Sequence, residues 1–393
     1  MVTKHCDVAV VGAGPAGIAA AICSARAGCR TVLVERNGFP GGMVVKGAIS
    51  TLCGLYLHTG AVPRFIYDGF TAEFIRRLMK TDRVAGPLRM GKLHVLPFRP
   101  DSFQGLAGVL IDGQREVQAF FSAELTGVAV NRTRIERLAI RAGGKSWEME
   151  TGVVIDCSGN AAVARLAGLN VMTGDPARQS PAVMVPVGNV TGALSSPARR
   201  IQILLALQRA AMAGNLPKEA ATVAFMPSLD EDTVVLKLNP GAAAADPDNS
   251  GSGRRAAAAL LAYLQAHVAE FARSSVMGES FPLLQRTSHR LVGRYVLKGG
   301  DVLRAAIFPD AVAQGCWPME QWDAEGRQRL RYLPSGECYD IPSGALQAVG
   351  LENLFMAGKT ISADEDAIAS ARVIGCCLAT GEAAGRLAAA ACL

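Results

Sequence analysis

The residues best placed by type and spacing to do chemistry open the chain. Gly12, Gly14 and Gly17 stand in "VAVVGAGPAGIAAA", directly after an apolar run and directly before an alanine-rich one. The three glycines differ in what they allow. Gly12 permits a tight turn out of a strand, Gly14 lets backbone N–H groups approach a pyrophosphate, and Gly17 lets a helix pack closely on a sheet. Pro15 and Ala16 begin that helix, whose positive end then faces the phosphates. Glu35 closes the following strand, where a carboxylate accepts hydrogen bonds from the 2′ and 3′ hydroxyls of an adenosine ribose and opposes a 2′-phosphate; Arg36 beside it pulls the other way. The pattern predicts a bound dinucleotide. It does not choose between nicotinamide and flavin, which share the ADP half.

A second group lies in "RTSHRLVGRY". Arg290 and Arg294 suit a carboxylate or other anion through bidentate hydrogen bonds, and His289 suits proton transfer. Spaced four apart, the two arginines would equally bracket an acidic side chain at a domain junction. Cys53 reads as a buried thiol that could also approach a cofactor, and Trp317 and Trp322 as packing or pocket wall. The ten cysteines show no CxxC and no Cys/His spacing, which argues against zinc, against any metal centre and against a thioredoxin-like pair. Cys376 and Cys377 fall in a helical pattern and read as small core residues.

The elements that must carry these residues follow from periodicity. A strand at 6–11, a helix at 15–27 and a strand at 31–34 make a βαβ opening. A glycine-rich ordered loop is expected over 35–56 and an amphipathic helix over 63–80. A short helix or strand at 106–112 precedes a β meander at 118–121, 124–130, 134–141 and 146–150, and a buried strand at 152–156 runs into a turn and helix in "VVIDCSGNAAVARLAG". From 174 the texture changes to proline-bounded segments with helices at 196–213 and 254–274, joined by a low-complexity loop, 239–253, whose glycines fit no phosphate pattern. One long Ala/Gly-rich helix is expected over 367–391. The division is 1–173, 174–338 and 339–393, with the first and last parts forming one domain.

The chain has 393 residues, half of them hydrophobic, and a formal charge of +6 from scattered Lys and Arg. That length allows two domains and a large core. No charge block argues for nucleic acid, no stretch is long and apolar enough for a membrane span, and no signal-peptide pattern opens the chain. Reduced thiols point to the cytoplasm.

The sequence resembles the FAD-dependent oxidoreductases with a glutathione-reductase-type FAD fold, a group that includes fumarate-reductase-like proteins and small-molecule dehydrogenases. The resemblance spans nearly the whole chain. It is carried by "DVAVVGAGPAGIAAA" with Glu35, "PGGM" at 40–43, "VVIDCSGNAAVA", "SHRLVGRYVLKGGDVL", "CWPME", "YDIPSGAL" and "NLFMAGKTISADEDAIASARVIGCCLATGEAAGRLAAA". It implies an α/β fold: a Rossmann-like FAD-binding domain of three layers, with a parallel sheet and β meander, plus a second α+β substrate domain. It implies that Gly41, Gly42 and Met43 run beside the pyrophosphate and flavin, that the Val128 backbone pairs with adenine, and that Gly159 and Asn160 replace the family's Gly-Asp turn. Ala357, Gly358 and Lys359 match the flavin-contacting turn. A helix starting between Asp364 and Ser370 would aim its positive end at flavin N1 and O2, with Arg372 helping there or else pairing with Asp364 or Glu365. Where relatives carry Thr, His and Glu, this chain has Asp364, Glu365 and Asp366.

The implied function is hydride transfer between a small organic substrate, suitably carboxylate-bearing, and flavin N5. An electron acceptor or partner reductase is left unnamed. The rival readings are a monooxygenase or oxidase in which reduced flavin meets oxygen, and a flavin-binding protein without turnover.

Overall fold

Val8 and Val10 of the strand Lys4–Val11 pack toward one side of a sheet, and Ala9 and Val11 toward the other. This strict alternation within a wholly buried run places the strand at the centre of a layered structure. In the computed structural model, which describes residues 4–58, 60, 62–192, 196–242, 251–278 and 282–392, five strands lie parallel. Their order is Val117–Phe120, Thr31–Val34, Lys4–Val11, Lys145–Asp156 and Leu354–Met356. The meander strand Arg134–Ala142 pairs antiparallel with the first half of Lys145–Asp156, and Ala123–Asn131 pairs antiparallel with Arg134–Ala142 at the sheet's edge.

The strands expected at 146–150 and 152–156 are thus one. Gly152 does not interrupt it: a Cβ there would stand 2.9 Å from the Asp7 carbonyl oxygen, so the glycine is a point of close strand approach. Other expectations shift at their edges. The helix at 63–80 is observed as Gly69–Asp82, after a short strand Arg64–Phe65, and 106–112 is the end of a helix, Pro100–Asp112. The glycine-rich loop contains a short helix, Met43–Lys46. Of the loop at 239–253, positions 243–250 lie outside the described residues.

The helix Pro15–Arg26 and the final helix Ile374–Cys392 cover one face of the parallel sheet. They cross closely. A Cβ on Gly381 would lie 2.1 Å from the Ala16 carbonyl oxygen, and one on Gly385 would lie 2.6 Å from that of Ala20. A methyl at either point would force the helices apart, an overpacking cost of about 1–3 kcal/mol. The meander covers the opposite face, giving the three layers.

The single helix expected over 367–391 is two, Glu365–Ala371 and Ile374–Cys392, bent by 95°. The break seats Gly375 on the Cys53–Gly54 backbone: its N–H donates to the Cys53 carbonyl at 3.1 Å, and a Cβ would meet the Gly54 oxygen at 2.6 Å. Among the described residues no single helix is long and apolar enough to cross a membrane.

A second core forms around an antiparallel sheet, ordered Ala224–Met226, Val234–Leu238, Val183–Gly188 and Ser275–Val276. Val185, Val187, Leu236 and Leu238 pack with Ile203, Leu207, Leu260 and Leu264 of the helices Pro197–Met212 and Ser252–His267. The alternation turns Val235 and Lys237 to the other face, where Lys237 lies against Glu320 and Trp322.

Candidate functional site

Parallel strands present their carboxyl ends to ligands. At that end stand Gly12 after the first strand, Glu35 after the second, Asp156 at the end of the fourth and Ala357–Gly358 after the last. Gly12 has φ +100°, and a Cβ on it would meet the Cys157 carbonyl oxygen at 2.5 Å; one on Gly17 would meet the Gly12 oxygen at 1.7 Å. Gly14 is different. A Cβ there has no protein atom within 4 Å, so its glycine is not required by internal packing. Gly14 is the N-cap and Pro15 the first residue of the helix, leaving the helix's positive end open.

The Gly41–Gly42 turn folds back on this loop. The Gly41 N–H donates to the Ala13 carbonyl at 2.8 Å, and a Cβ on Gly42, which has φ +53°, would come within 3.1 Å of the Gly14 Cα. Met43 begins the short helix that follows. Glu35 is buried, accepting the Ala13 N–H at 2.7 Å and the Asn37 N–H at 2.8 Å, which fixes its carboxylate beside the loop. Arg36 is exposed and lines an open cleft with Asn37, Lys46, Ser122 and Arg141. Another cleft, lined by His5, Arg132, Arg134 and Gly152, lies at the amino ends of the parallel strands, away from all these loops.

The chain's end joins its beginning here. Gly358 has φ +70°, and a Cβ on it would stand 2.9 Å from the Ala16 Cβ and 3.5 Å from the Cys377 Sγ. Its N–H donates to Thr380 Oγ1 at 3.0 Å. Lys359 follows, with Cε 3.4 Å from the position a Cβ on Gly159 would take and Nζ donating to the Gln285 carbonyl at 2.9 Å. Burial pushes the Lys359 ammonium down to about 8, and Arg372 and Arg36 push it the same way, so both arginines lie within electrostatic reach of Lys359. Asp156 is fully buried, accepting from Ser158 Oγ at 2.6 Å and from the Val163 N–H at 2.9 Å; burial raises its carboxyl despite these bonds.

Other residues singled out by sequence have definite places. Val128 lies on the edge strand of the meander, opposite Leu138. Ser370 is buried, with Oγ 2.8 Å from the Tyr339 hydroxyl and donating to the Trp317 carbonyl. His289 is half-buried, its Nδ1 3.5 Å from Thr173 Oγ1. Arg290 is buried and fully engaged by Glu365 Oε1 at 2.7 Å, the Ala363 carbonyl at 2.9 Å and Thr287 Oγ1 at 3.1 Å. Asp364 caps its own helix through the Ala367 N–H at 2.8 Å and also accepts from Gly299. Arg372 is the C-cap of that helix, two residues before Ile374–Cys392 begins.

Arg372 reaches neither Asp364 nor Glu365. Its Nη2 donates to the Glu320 carbonyl at 3.2 Å and to Gln179 Oε1 at 3.4 Å, while its Nε is buried with no partner among the described residues. This brings it to a group that sequence reading did not assemble. Glu320 accepts from Trp317 Nε1 at 3.0 Å, Trp322 Nε1 at 2.9 Å and Gln328 Nε2 at 3.0 Å. Lys237 Nζ lies 3.8 Å from Glu320 Oε1 and 4.2 Å from the centre of the Trp322 ring, and Arg286 Cζ lies 4.1 Å from that same ring. Burial alone would raise the Glu320 carboxyl; Lys237, Arg372 and Arg286 outweigh it and hold the group at about 2. For Lys237 burial outweighs Glu320, pushing the ammonium down to about 8. Its placement was hinted at by a lysine alternating with buried residues in "VVLKL".

The cradle fits FAD. Open space over Gly14, an exposed helix start, a fixed carboxylate at the ribose position and a strip of cations match a dinucleotide with two phosphates. The comparisons agree. Residues 7–393 match the family described as FAD dependent oxidoreductase, and the chain belongs to that family. Its cofactor is FAD, and it is an oxidoreductase.

Over 42 residues, 11% of this chain and 4% of the relative, it is 51% identical to sarcosine oxidase subunit alpha of Rhizobium meliloti (strain 1021). A geranylgeranyl bacteriochlorophyll reductase-like protein from Thermoplasma acidophilum shares the fold at TM-score 0.50 and 12% identity, over 99% of this chain and 79% of that one. A triple mutant of a flavin-dependent brominase does so at TM-score 0.51 and 15% identity, over 99% and 81%. A flavoprotein/dehydrogenase from Cytophaga hutchinsonii gives TM-score 0.50 and 12% identity over 98% and 78%.

Proposed function

We propose that this oxidoreductase moves a hydride between a small organic substrate and N5 of its flavin. FAD supplies the redox chemistry; the chain's residues bind it, place the substrate and exclude water. In this reading the N–H groups at Gly12 to Gly17 and the Gly41–Gly42 turn hold the pyrophosphate, Glu35 takes the ribose hydroxyls, and the Val128 backbone meets the adenine. Gly159, Ala357, Gly358 and Lys359 border the flavin end. Residues 174–338 act as the substrate half, covering the cofactor where Lys237 and Arg286 face Arg372.

The observation that carries the reading is the meeting of Gly14's open space, the Gly358 turn and the under-bonded Arg372 at one end of the sheet. Buried donors without partners are costly, and a site that orders a substrate and its charge gives them a use. Arg290 anchors the helix Glu365–Ala371, and the position of His289 beside Thr173 leaves it as a candidate proton carrier.

The test is anaerobic mixing of FAD-loaded protein with candidate substrates. Bleaching of the flavin's visible band with stoichiometric product supports hydride transfer. Chemistry that appears only when oxygen is admitted to chemically reduced protein, with peroxide or an oxygenated product, replaces it with the oxygen-using alternative.

A further inference from the structure

Three cations meet one carboxylate where the two halves of the protein touch. Glu320 accepts from Trp317, Trp322 and Gln328, which fix the orientation of its carboxylate. Lys237 stands 3.8 Å from it, beyond hydrogen-bond length. Arg286 is buried and stacked on Trp322, donating to Asn239 Oδ1 at 2.6 Å and to the Ser180 carbonyl. Among the described residues Arg372 makes two long bonds through Nη2, and its Nε has no partner. Three positive charges against one negative leave a surplus of two in a largely dry niche.

Such a surplus is expensive to hold in a folded chain unless a ligand neutralises it. A guanidinium matches the two oxygens of a carboxylate, and Trp322, itself buried with Lys237 and Arg286 against its ring, holds those two cations in place. We infer that Arg372 and Lys237, backed by Arg286 and Trp322, form the subsite that binds the carboxylate of an organic substrate. This rests on the oxidoreductase reading above and specifies its substrate class. It also moves the anion-binding role from Arg290, which Glu365 already neutralises, to Arg372 and Lys237.

The experiment is a titration of FAD-loaded protein with benzoate, succinate and inorganic phosphate, and with benzamide as a neutral counterpart. Tryptophan fluorescence and the flavin spectrum report binding. The carboxylates are expected to bind at least tenfold more tightly than benzamide. Lys237→Gln and Arg372→Gln are each expected to weaken them about tenfold or more, while Arg209→Ala, exposed on the helix Pro197–Met212, leaves them unchanged.

Carboxylates that bind no better than benzamide, or that ignore both substitutions, overturn the inference, and phosphate binding more tightly than either carboxylate overturns the choice of ligand. If Arg372→Gln fails to fold, Lys237→Gln alone decides. The titration needs no turnover, so a protein that binds carboxylates yet never bleaches its flavin refutes the hydride-transfer reading and leaves the subsite standing.

Discussion

Gly14→Ala separates the needs of the cofactor from the needs of the fold. The residue has φ −71° and ψ −178°, an extended conformation open to alanine, and the added methyl has no protein atom within 4 Å. Reduced freedom of the unfolded chain favours the alanine by about 0.4–1 kcal/mol, and the poorer helix cap opposes it by a similar amount, so stability of the cofactor-free protein should change by less than about 1 kcal/mol. The methyl instead enters the space assigned to the pyrophosphate. An overpacking cost of about 1–3 kcal/mol borne by the complex alone weakens FAD binding roughly 5- to 150-fold. Gly17→Ala is the contrasting control, because its Cβ would lie 1.7 Å from the Gly12 carbonyl oxygen and the protein itself must distort. The assay is FAD titration by flavin fluorescence quenching, beside thermal melts of both cofactor-free variants. Unchanged FAD affinity in Gly14→Ala, or a loss of stability equal to that of Gly17→Ala, would refute the placement of the cofactor over this loop.

Two further outcomes follow from buried charge. Arg290→Met leaves Glu365 without its cation, and breaking such a pair costs about 3 kcal/mol or more; chemical denaturation should show that loss, and a variant as stable as the parent would free Arg290 for another role. Lys237, which faces Glu320, Arg286, Arg372 and Cys53 and is half-buried, has its ammonium pushed from the ordinary lysine value down to about 8 by loss of water around it. Its depressed folded value means that the unfolded chain binds more protons between about pH 8 and 10.5, so stability rises with pH through that window. From pH 7 to pH 9 the parent should therefore gain about 1 kcal/mol relative to Lys237→Gln, and a difference that stays flat or reverses would contradict the half-buried, charged lysine.

Local features were legible and assembled ones were not. The first βαβ unit could be read because a glycine spacing, a proline at the helix start and a closing glutamate are all set within neighbouring residues. The break at Arg372 and Val373 left no such mark, since helical spacing continues on both sides; Gly375 pressing on Gly54 decides it, and that contact spans the chain. Arg290 was legible as a cation seeking an anion, yet sequence offered both a substrate and a structural acid, and the observed partner is Glu365. The niche around Glu320 draws on Gln179, Lys237, Arg286 and Arg372, residues from four separate segments. Arg372, Trp317 and Trp322 stand out singly, and the strand alternation turns Lys237 away from its own core, but nothing local joins them to Glu320.

Ala16 explains why the two ends of the chain are bound into one site. Its methyl lies 2.9 Å from where Gly358 would carry a Cβ, and its carbonyl oxygen lies 2.1 Å from where Gly381 would, so one residue of the cofactor loop is gripped by both the last turn and the last helix. Neither contact tolerates a side chain. The C-terminal segment therefore packs directly on the start of the helix whose positive end faces the proposed pyrophosphate site. FAD that binds only this joined arrangement stabilises it by mass action, which ties cofactor retention to the closure of the whole chain rather than to the glycine loop alone.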